Sequence, residues 1–278
     1  MVETVSPGTS ALEELITEAA VDPRALDSAK HRAAVEETIA LLDRGEVRTA
    51  EKIDGEWQVN TWVQHAIKQY FHIAPFTTER AGPMEYHDRI PIKHNLAERG
   101  IRVLPGSIVR YGSYIEPGVI VALGFVNLGS YVQTGALVDA WSTVGSAAQI
   151  GRDVHLAGGV GIGGVLEPPG ARPVIIEDGA FIGSRSIIVE GVVVEERAVI
   201  AAQTCLTGST HIIDVTGDEP VTYKGRVPAD SVVVPGTRTR KFPAGEYQVS
   251  CALIIGKRGD TTDHKLRFND DLRDFSFA

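Results

Sequence analysis

The sequence predicts a mainly β protein built on a parallel β-helix, with a mostly helical region before it and a short extension after it. The first observation is a six-residue spacing of aliphatic side chains, broken only by Tyr114. The positions are Ile108, Tyr114, Ile120, Val126, Val132, Val138, Val144, Ile150, Leu156 and Ile162. A fixed short period is the signature of a stacked repeat, in which each repeat is one short strand and one turn.

The second observation is that this period stops and then resumes. A stretch rich in proline and glycine, "GGVLEPPGARPVI" at 163–175, interrupts it. Aliphatic residues then return at Ile176, Ile182, Ile188, Val194, Ile200, Leu206 and Ile212. Neither a simple alternating strand nor a helix of 3.6 residues per turn produces this spacing. We expect these side chains to fill a narrow prism, whose tight turns suit a chain with 29 glycines.

The region before the repeat, residues 1–100, is predicted to form a mostly helical domain. "SAKHRAAVEETIALLDRGE" predicts a helix that begins after Ser28, ends at Gly45 and buries Val35, Ile39 and Leu42. "TWVQHAIKQYF" predicts a second helix capped by Thr61, with Trp62, Ala66 and Tyr70 in the core. Between them, Asp54-Gly55 predicts a hairpin of two short strands.

The repeat region is assigned to residues 101–240 and the extension to residues 241–278. Gly217-Asp218 predicts a hairpin that leaves the coil, and "VPADSVVVPG" predicts one more turn of the coil. "EYQVSCALIIGKR" predicts a strand in the extension, because its apolar residues alternate.

Composition excludes several classes of protein. A formal net charge of -9 argues against nucleic-acid binding, which usually needs a basic patch. The sequence has no apolar run near 18 residues, so we expect no membrane partner. Two cysteines, Cys205 and Cys251, fit a reducing cytoplasm better than a disulfide framework.

The period also predicts which polar side chains leave the prism. Asp139 follows inward Val138 and therefore points outward, as does His155 before Leu156. An outward Asp139 is either an ordinary surface group or part of a site that another surface covers. With only His155 and His211 in the repeat, a zinc site is not expected. "GGVGIGGV" sits inside the repeat and opens no helix, so its dinucleotide interpretation is weak.

Several motifs resemble the tetrahydrodipicolinate N-succinyltransferases, which are hexapeptide-repeat acyltransferases. The main one is "VDAWSTVGSAAQIGRDVHLAGGVGIGGVLEP". "IALLDRGEVRTAEKIDGEW", "GIRVLPG", "IGSRSIIVEGVVVEE" and "GRVPADSVVV" are also similar, so the resemblance covers most of the chain. It implies a left-handed parallel β-helix, assembly as a homotrimer and active sites in clefts between subunits.

The resemblance also implies the reaction and its residues. Succinyl-CoA would donate its acyl group to the amine of L-2-amino-6-oxopimelate, the ring-opened hydrate of tetrahydrodipicolinate, in lysine and diaminopimelate biosynthesis. Asp139 matches the family carboxylate that contacts this amine and would accept its proton. Arg102 and Arg185 would hold the substrate carboxylates, with Trp141 beside them.

Coenzyme A would lie along the outer coils, with Gly163, Gly164 and Lys257 as its candidate contacts. Neither a metal nor a permanently bound cofactor is expected, since succinyl-CoA serves as a cosubstrate.

One position departs from the family pattern. Family members carry a glutamate directly after the Gly-x-Arg-Ser run, where this chain has Ile187, and Glu190 is the nearest carboxylate. Three interpretations remain open: the second carboxylate is dispensable, Glu190 replaces it as a catalytic group, or the amine acceptor differs. Two alternatives therefore stand beside the succinyltransferase. One is an acyltransferase of the same fold that uses acetyl-CoA or a related amine, and the other is a solenoid that serves only as a scaffold.

Overall fold

The computed structural model describes residues 7–259 of the chain. Its centre is a parallel β-helix in which each regular coil contributes one two-residue strand to each of three sheets. We number the sheets as first, second and third face in the order in which a coil meets them. The first face contains β5 (Arg102–Val103), β8 (Ile120–Val121), β11 (Leu137–Val138), β14 (His155–Leu156), β17 (Phe181–Ile182) and β20 (Val199–Ile200).

The other two faces repeat this arrangement. The second face contains β6 (Ile108–Val109), β9 (Phe125–Val126), β12 (Thr143–Val144), β15 (Gly161–Ile162), β18 (Ile187–Ile188) and β21 (Cys205–Leu206). The third face contains β7 (Tyr114–Ile115), β10 (Tyr131–Val132), β13 (Gln149–Ile150), β16 (Ile175–Ile176), β19 (Val193–Val194) and β24 (Arg226–Val227). Paired strands run parallel, so the predicted fold class is confirmed.

In each of these strands the second residue points into the prism. From Val126 to Ile162 and from Ile176 to Ile212 the predicted inward residues are buried in one continuous core. The prediction is wrong for the first three positions, Ile108, Tyr114 and Ile120. The residues that follow them point inward instead: Val109, Ile115 and Val121.

The reason for this error is one coil that is a residue short. Inward Val121 is followed by inward Val126 after five residues instead of six. Both residues of β6 and of β8 are aliphatic, so either register satisfies the hydrophobic pattern there.

The proline- and glycine-rich interruption leaves the coil as a loop that docks on the N-terminal region. The Gln64 side chain accepts a hydrogen bond from the Gly170 N–H at 2.8 Å and donates one to the Ala171 carbonyl at 2.9 Å. Lys68 and Glu167 form an ion pair at 2.9 Å. The prism resumes after the loop with Ile175–Ile176 on the third face.

The N-terminal region contains three α-helices, a short 3-10 helix and two hairpins. The helices are α1 (Pro7–Val21), α2 (Ala29–Arg44) and α3 (Thr61–Ile73), and the 3-10 helix is Pro23–Asp27. The hairpins pair β1 (Ala50–Ile53) with β2 (Glu56–Val59) and β3 (Thr77–Ala81) with β4 (Met84–Asp88).

The two ends of α2 are as predicted, but the predicted N-terminal cap of α3 is wrong. Ser28 caps α2 by accepting the Lys30 N–H, and Gly45 ends the helix with a φ of 76°. The residue before α3 is Asn60, so Thr61 is the first helical residue and does not cap the helix.

This N-terminal region covers the third face of the prism. Arg48 lies over the Tyr131 ring at 3.7 Å, and its Nε donates to Gln149 Oε1 at 3.0 Å. At the end of α2, buried Asp43 forms ion pairs with buried Lys93 and with Arg99. The N-terminal region of the same chain therefore packs on the third face. The first and second faces are the ones on which we expect a functional site.

The C-terminal region extends the first face. β22 (Ile212–Asp214) and β23 (Val221–Tyr223) form the predicted hairpin around Gly217. β25 (Ser231–Phe242) leaves the last coil and pairs with β26 (Gly245–Lys257) as a long hairpin, which confirms the predicted strand. Residues 260–278 of the predicted extension lie outside the described residues.

Candidate functional site

Three of the candidate site residues lie in one column of turns. The turns join the first face to the second and contain Asp139, Trp141 and, two coils further, Arg185; we call this column the Asp139 corner. The coils stack through backbone hydrogen bonds, from the Gly159 N–H to Ala140 O at 2.8 Å and from the Arg185 N–H to Gly158 O at 3.1 Å. Trp141, Gly159 and Arg185 share left-handed φ angles of 63°, 74° and 62°.

Asp139 lies outside the prism, as predicted. Its neighbour Val138 is fully buried, whereas the Asp139 side chain is 40% exposed. Its Oδ1 accepts a hydrogen bond from the Ala140 N–H at 2.7 Å, and its Oδ2 lies 3.6 Å from His155 Nε2. The carboxylate is thus held on one side and open to solvent on the other, as a proton acceptor for an incoming amine must be.

Arg185 extends back along the corner toward Asp139. A Cβ placed on Gly159 would lie only 2.7 Å from Arg185 Cδ and 2.8 Å from its Nε. The side chain therefore lies across Gly159, in the coil between its own and that of Asp139, about 4.8 Å away along the stack. Arg185 can lie there because Gly159 has no side chain.

Trp141 and the second face form an exposed apolar surface beside the corner. Trp141 is 71% exposed, Ile187 is 47% exposed and Leu123 is 37% exposed. Ile187 pairs with Gly161 on one side and with exposed Cys205 on the other. Trp141 and Leu123 lie in adjacent coils, since the Trp141 N–H donates to the Leu123 carbonyl at 3.0 Å, and neighbouring exposed side chains of this size often mark a surface that a partner covers.

Arg102 lies on the same side of the prism but nearer its start. Its strand pairs with β8, whose other neighbour is β11, the strand that leads into Asp139. Two rungs of about 4.8 Å separate Arg102 from the Asp139 strand. The first face therefore places Arg102 and Arg185 on either side of Asp139 along the stack.

Glu190 is not brought together with Asp139 within one chain. It lies in a turn that joins the second face to the third, so a strand of the second face separates the two carboxylates. Its Oε2 accepts the Gly208 N–H at 3.1 Å. Glu190 lines a cavity of about 500 Å³ together with Gly163 and Gly164.

The candidate coenzyme A contacts fall in two separate places. Gly163 and Gly164 start the loop that interrupts the repeat, and the Gly163 N–H already donates to the Ile188 carbonyl at 2.8 Å. Lys257 ends β26, where its Nζ donates to the Ala229 carbonyl at 3.0 Å. The Gly163 amide is therefore occupied by the sheet and does not point at a ligand.

Two contributors to the site could not be assigned from the sequence alone. His155 was expected on the outer wall, but its contact with Asp139 depends on how successive coils stack. Gly159 matters only because Arg185 crosses it. Within residues 7–259, no group of three or more His, Cys, Asp or Glu side chains is arranged to hold a metal ion.

Comparison with known proteins gives consistent matches. Residues 11–73 match the family described as tetrahydrodipicolinate N-succinyltransferase N-terminal, and residues 173–207 match the hexapeptide repeat of succinyl-transferase. The 2,3,4,5-tetrahydropyridine-2,6-dicarboxylate N-succinyltransferase of Acinetobacter baylyi is 46% identical, over 87% of this chain and 89% of that protein. The protein of the same name from Caulobacter vibrioides is 45% identical, over 94% of this chain and 97% of that one.

A solved structure of a similarly named protein is a more distant match. The putative 2,3,4,5-tetrahydropyridine-2-carboxylate N-succinyltransferase of Campylobacter jejuni is 14% identical, covers 80% of this chain and 62% of its own, and superposes with a TM-score of 0.46.

Proposed function

The chain belongs to the tetrahydrodipicolinate N-succinyltransferase family, and we propose that the Asp139 corner is where it transfers the acyl group. The enzyme moves a succinyl group from succinyl-CoA to the amine of tetrahydrodipicolinate, a step of diaminopimelate and lysine biosynthesis. The observation that carries the assignment of the site is that one column of turns holds a half-exposed carboxylate, Asp139, and a cation, Arg185, whose side chain lies over Gly159 in the next coil.

Asp139 acts as the general base. An ammonium has no lone pair, so the substrate nitrogen must lose a proton before it attacks the thioester carbonyl carbon. The Asp139 carboxylate accepts that proton, and the new C–N bond gives a tetrahedral intermediate. The C–S bond then breaks, the proton still carried by the amide-forming nitrogen passes to the sulfur, and coenzyme A leaves as its thiol. The Ala140 N–H holds Oδ1, and Oδ2 has a lone pair on its solvent side that takes the proton.

Arg185 and Arg102 bind the acceptor. The ring-opened substrate carries two carboxylates, and a planar guanidinium holds each one through two parallel hydrogen bonds. Arg185 lies on one side of Asp139 along the stack and Arg102 on the other, so an extended dicarboxylate that spans the two cations presents its amine to the base. Trp141 forms an apolar wall of this site.

Glu190 has a different role from that of Asp139. Its carboxylate lies at another corner and accepts the Gly208 N–H, so Asp139 serves as the sole base within a subunit. We assign Glu190, Gly163 and Gly164 to the donor side of the site, because they line one cavity. Lys257, at the end of the prism, is assigned to the coenzyme A phosphates.

The functional unit is a homotrimer in the cytoplasm. The exposed apolar surface of Trp141, Leu123 and Ile187 supports this assembly, since a neighbouring prism would cover it and close a cleft over Asp139. Among the described helices, none is long and apolar enough to cross a membrane.

The test is the release of coenzyme A from succinyl-CoA in the presence of tetrahydrodipicolinate. Asp139→Asn keeps the shape of the side chain but removes the base, and we expect kcat to fall roughly 10²- to 10⁴-fold. Asp54→Asn, in the exposed turn of the β1–β2 hairpin, is the matched control and should leave kcat unchanged. Near wild-type turnover by Asp139→Asn would remove Asp139 from the mechanism. Acetyl-CoA as donor tests the specificity, and we expect it to react more slowly than succinyl-CoA.

A further inference from the structure

His155, in the next coil, lies against the side of Asp139 that faces away from solvent. It lies on the outer side of the first face, one coil after β11, with Leu137 and Phe181 as its strand neighbours. Its ring meets the Phe181 ring edge to face at a centroid distance of 5.2 Å. The His155 side chain is only 8% exposed although it lies outside the prism, whereas Asp139 in front of it is 40% exposed.

The contact between the two residues is specific in its atoms. His155 Nε2 lies 3.6 Å from Asp139 Oδ2, while the Ala140 N–H holds Oδ1 at 2.7 Å. The contact of His155 is slightly longer than a hydrogen bond. Hydrogen bonds of catalytic groups are commonly long until substrate is bound and then shorten. If the carboxylate rotates so that Oδ2 moves a few tenths of an ångström, Oδ2 comes within hydrogen-bond distance of His155 Nε2.

We propose that His155 is a positioning residue for Asp139: its Nε2–H fixes the plane of the carboxylate that accepts the proton from the substrate amine. This inference rests on the proposed function. The ring is too buried to meet the substrate, so it acts through Asp139 and not on the reacting atoms. An imidazole protonated only at Nε2 donates to Oδ2 and adds no positive charge that would weaken the base.

A second hydrogen-bond donor to Asp139 is useful because a single donor does not stop the carboxylate from rotating. A carboxylate on a short side chain rotates freely in solvent, and an error of about 1 Å in the position of a catalytic group can lower the rate on the order of 100-fold. The backbone donor at Ala140 fixes one oxygen only. A second donor at Oδ2 fixes the orientation of the whole group.

Two substitutions of the same residue separate this role from simple packing. The side-chain amide nitrogen of glutamine reaches about as far as Nε2 of histidine, whereas that of asparagine reaches only as far as Nδ1. We expect His155→Asn to lower kcat by roughly 10- to 100-fold with the KM for the acceptor nearly unchanged. His155→Gln should keep kcat within about threefold of the wild type, because it restores a donor to Oδ2.

A double-mutant cycle tests whether His155 acts through Asp139. In the Asp139→Asn background, His155→Asn should cause no further loss of kcat. Thermal unfolding of each variant shows whether the fold is retained, and Phe181→Leu, which alters the ring packing but no donor, should keep kcat.

The inference is overturned if the Asn and Gln variants lose kcat equally, or if their losses add to that of Asp139→Asn. Should His155→Asn not fold, His155→Gln decides: kcat within threefold supports the role, and a loss as large as that of Asp139→Asn overturns it. If the wild type releases no coenzyme A from succinyl-CoA, the proposed function itself fails. If Asp139→Asn abolishes turnover and His155→Asn does not reduce it, only the positioning role fails.

Discussion

Gly159→Ala should weaken acceptor binding by removing Arg185 from the site while the fold is retained. The new Cβ would lie 2.7 Å from Arg185 Cδ and 3.0 Å from its Cζ, closer than carbon atoms can approach. Because these atoms belong to the free end of a long side chain, the arginine moves away and the coil stays in place. The substitution therefore removes Arg185 from the Asp139 corner without changing any charge.

The structural cost of this change is small. An L-residue at a left-handed φ costs roughly 1 to 2 kcal/mol. Trp141 and Arg185 have similar φ angles in the same column, so the turn accepts a side chain. Gly55→Ala is the matched control, since Gly55 has a φ of 84° and a Cβ there would have no atom within 4 Å. Both variants should lose about the same stability in urea unfolding.

The functional cost depends on Arg185. A hydrogen bond to a charged group contributes about 1.5 to 3 kcal/mol, so the loss of even one of the two bonds from Arg185 should raise the acceptor KM roughly 10- to 150-fold. Initial rates of coenzyme A release over a range of acceptor concentrations measure it. Gly159→Ala in an Arg185→Ala background should raise KM no further. The reasoning is refuted if Gly159→Ala leaves KM within about twofold of the wild type, or if Gly55→Ala raises it equally.

Two further predictions test the prism and its assembly. Ile188→Ala empties a fully buried position and should cost about 2 to 5 kcal/mol in urea unfolding, whereas Val221→Ala, in the exposed hairpin that leaves the coil, should change stability by less than about 0.5 kcal/mol; equal losses would contradict the inward assignment of Ile188. Light scattering should give three times the chain mass of 29.9 kDa, and a monomer would remove the partner surface over Trp141.

The direction of Asp139 could be predicted from the sequence because it depends only on local alternation. A residue directly after an inward valine must point out, and Asp139 follows Val138. The same rule failed at Ile108 and Ile120, since their strands are aliphatic on both sides and the five-residue step from Val121 to Val126 shifts the register. Leu137–Val138 is also aliphatic at both positions, and its register follows from the unbroken six-residue spacing around it.

The separation of Glu190 from Asp139 shows where sequence distance misleads. Glu190 follows inward Ile188 on the second face, and Asp139 follows Val138 on the first, so the two carboxylates occupy different corners. The family pattern suggested Glu190 as a second catalytic group because it is the carboxylate nearest to Ile187 in sequence. One third of a coil, a few residues long, is enough to place a side chain at a different corner of the prism.

The sequence by itself determined the parallel β-helix, the outward wall and the family, because a six-residue period and short motifs are local properties of the chain. Only the tertiary structure decided which wall residues meet. Leu137 and His155 pair across a regular coil and are 18 positions apart, whereas His155 and Phe181 are 26 positions apart because the 163–175 loop lengthens their coil. The position of Arg185 over Gly159 therefore cannot be found by adding a constant number. Arg185 over Gly159 and His155 behind Asp139 follow from contacts between coils, which depend on the backbone hydrogen bonds that align one coil on the next.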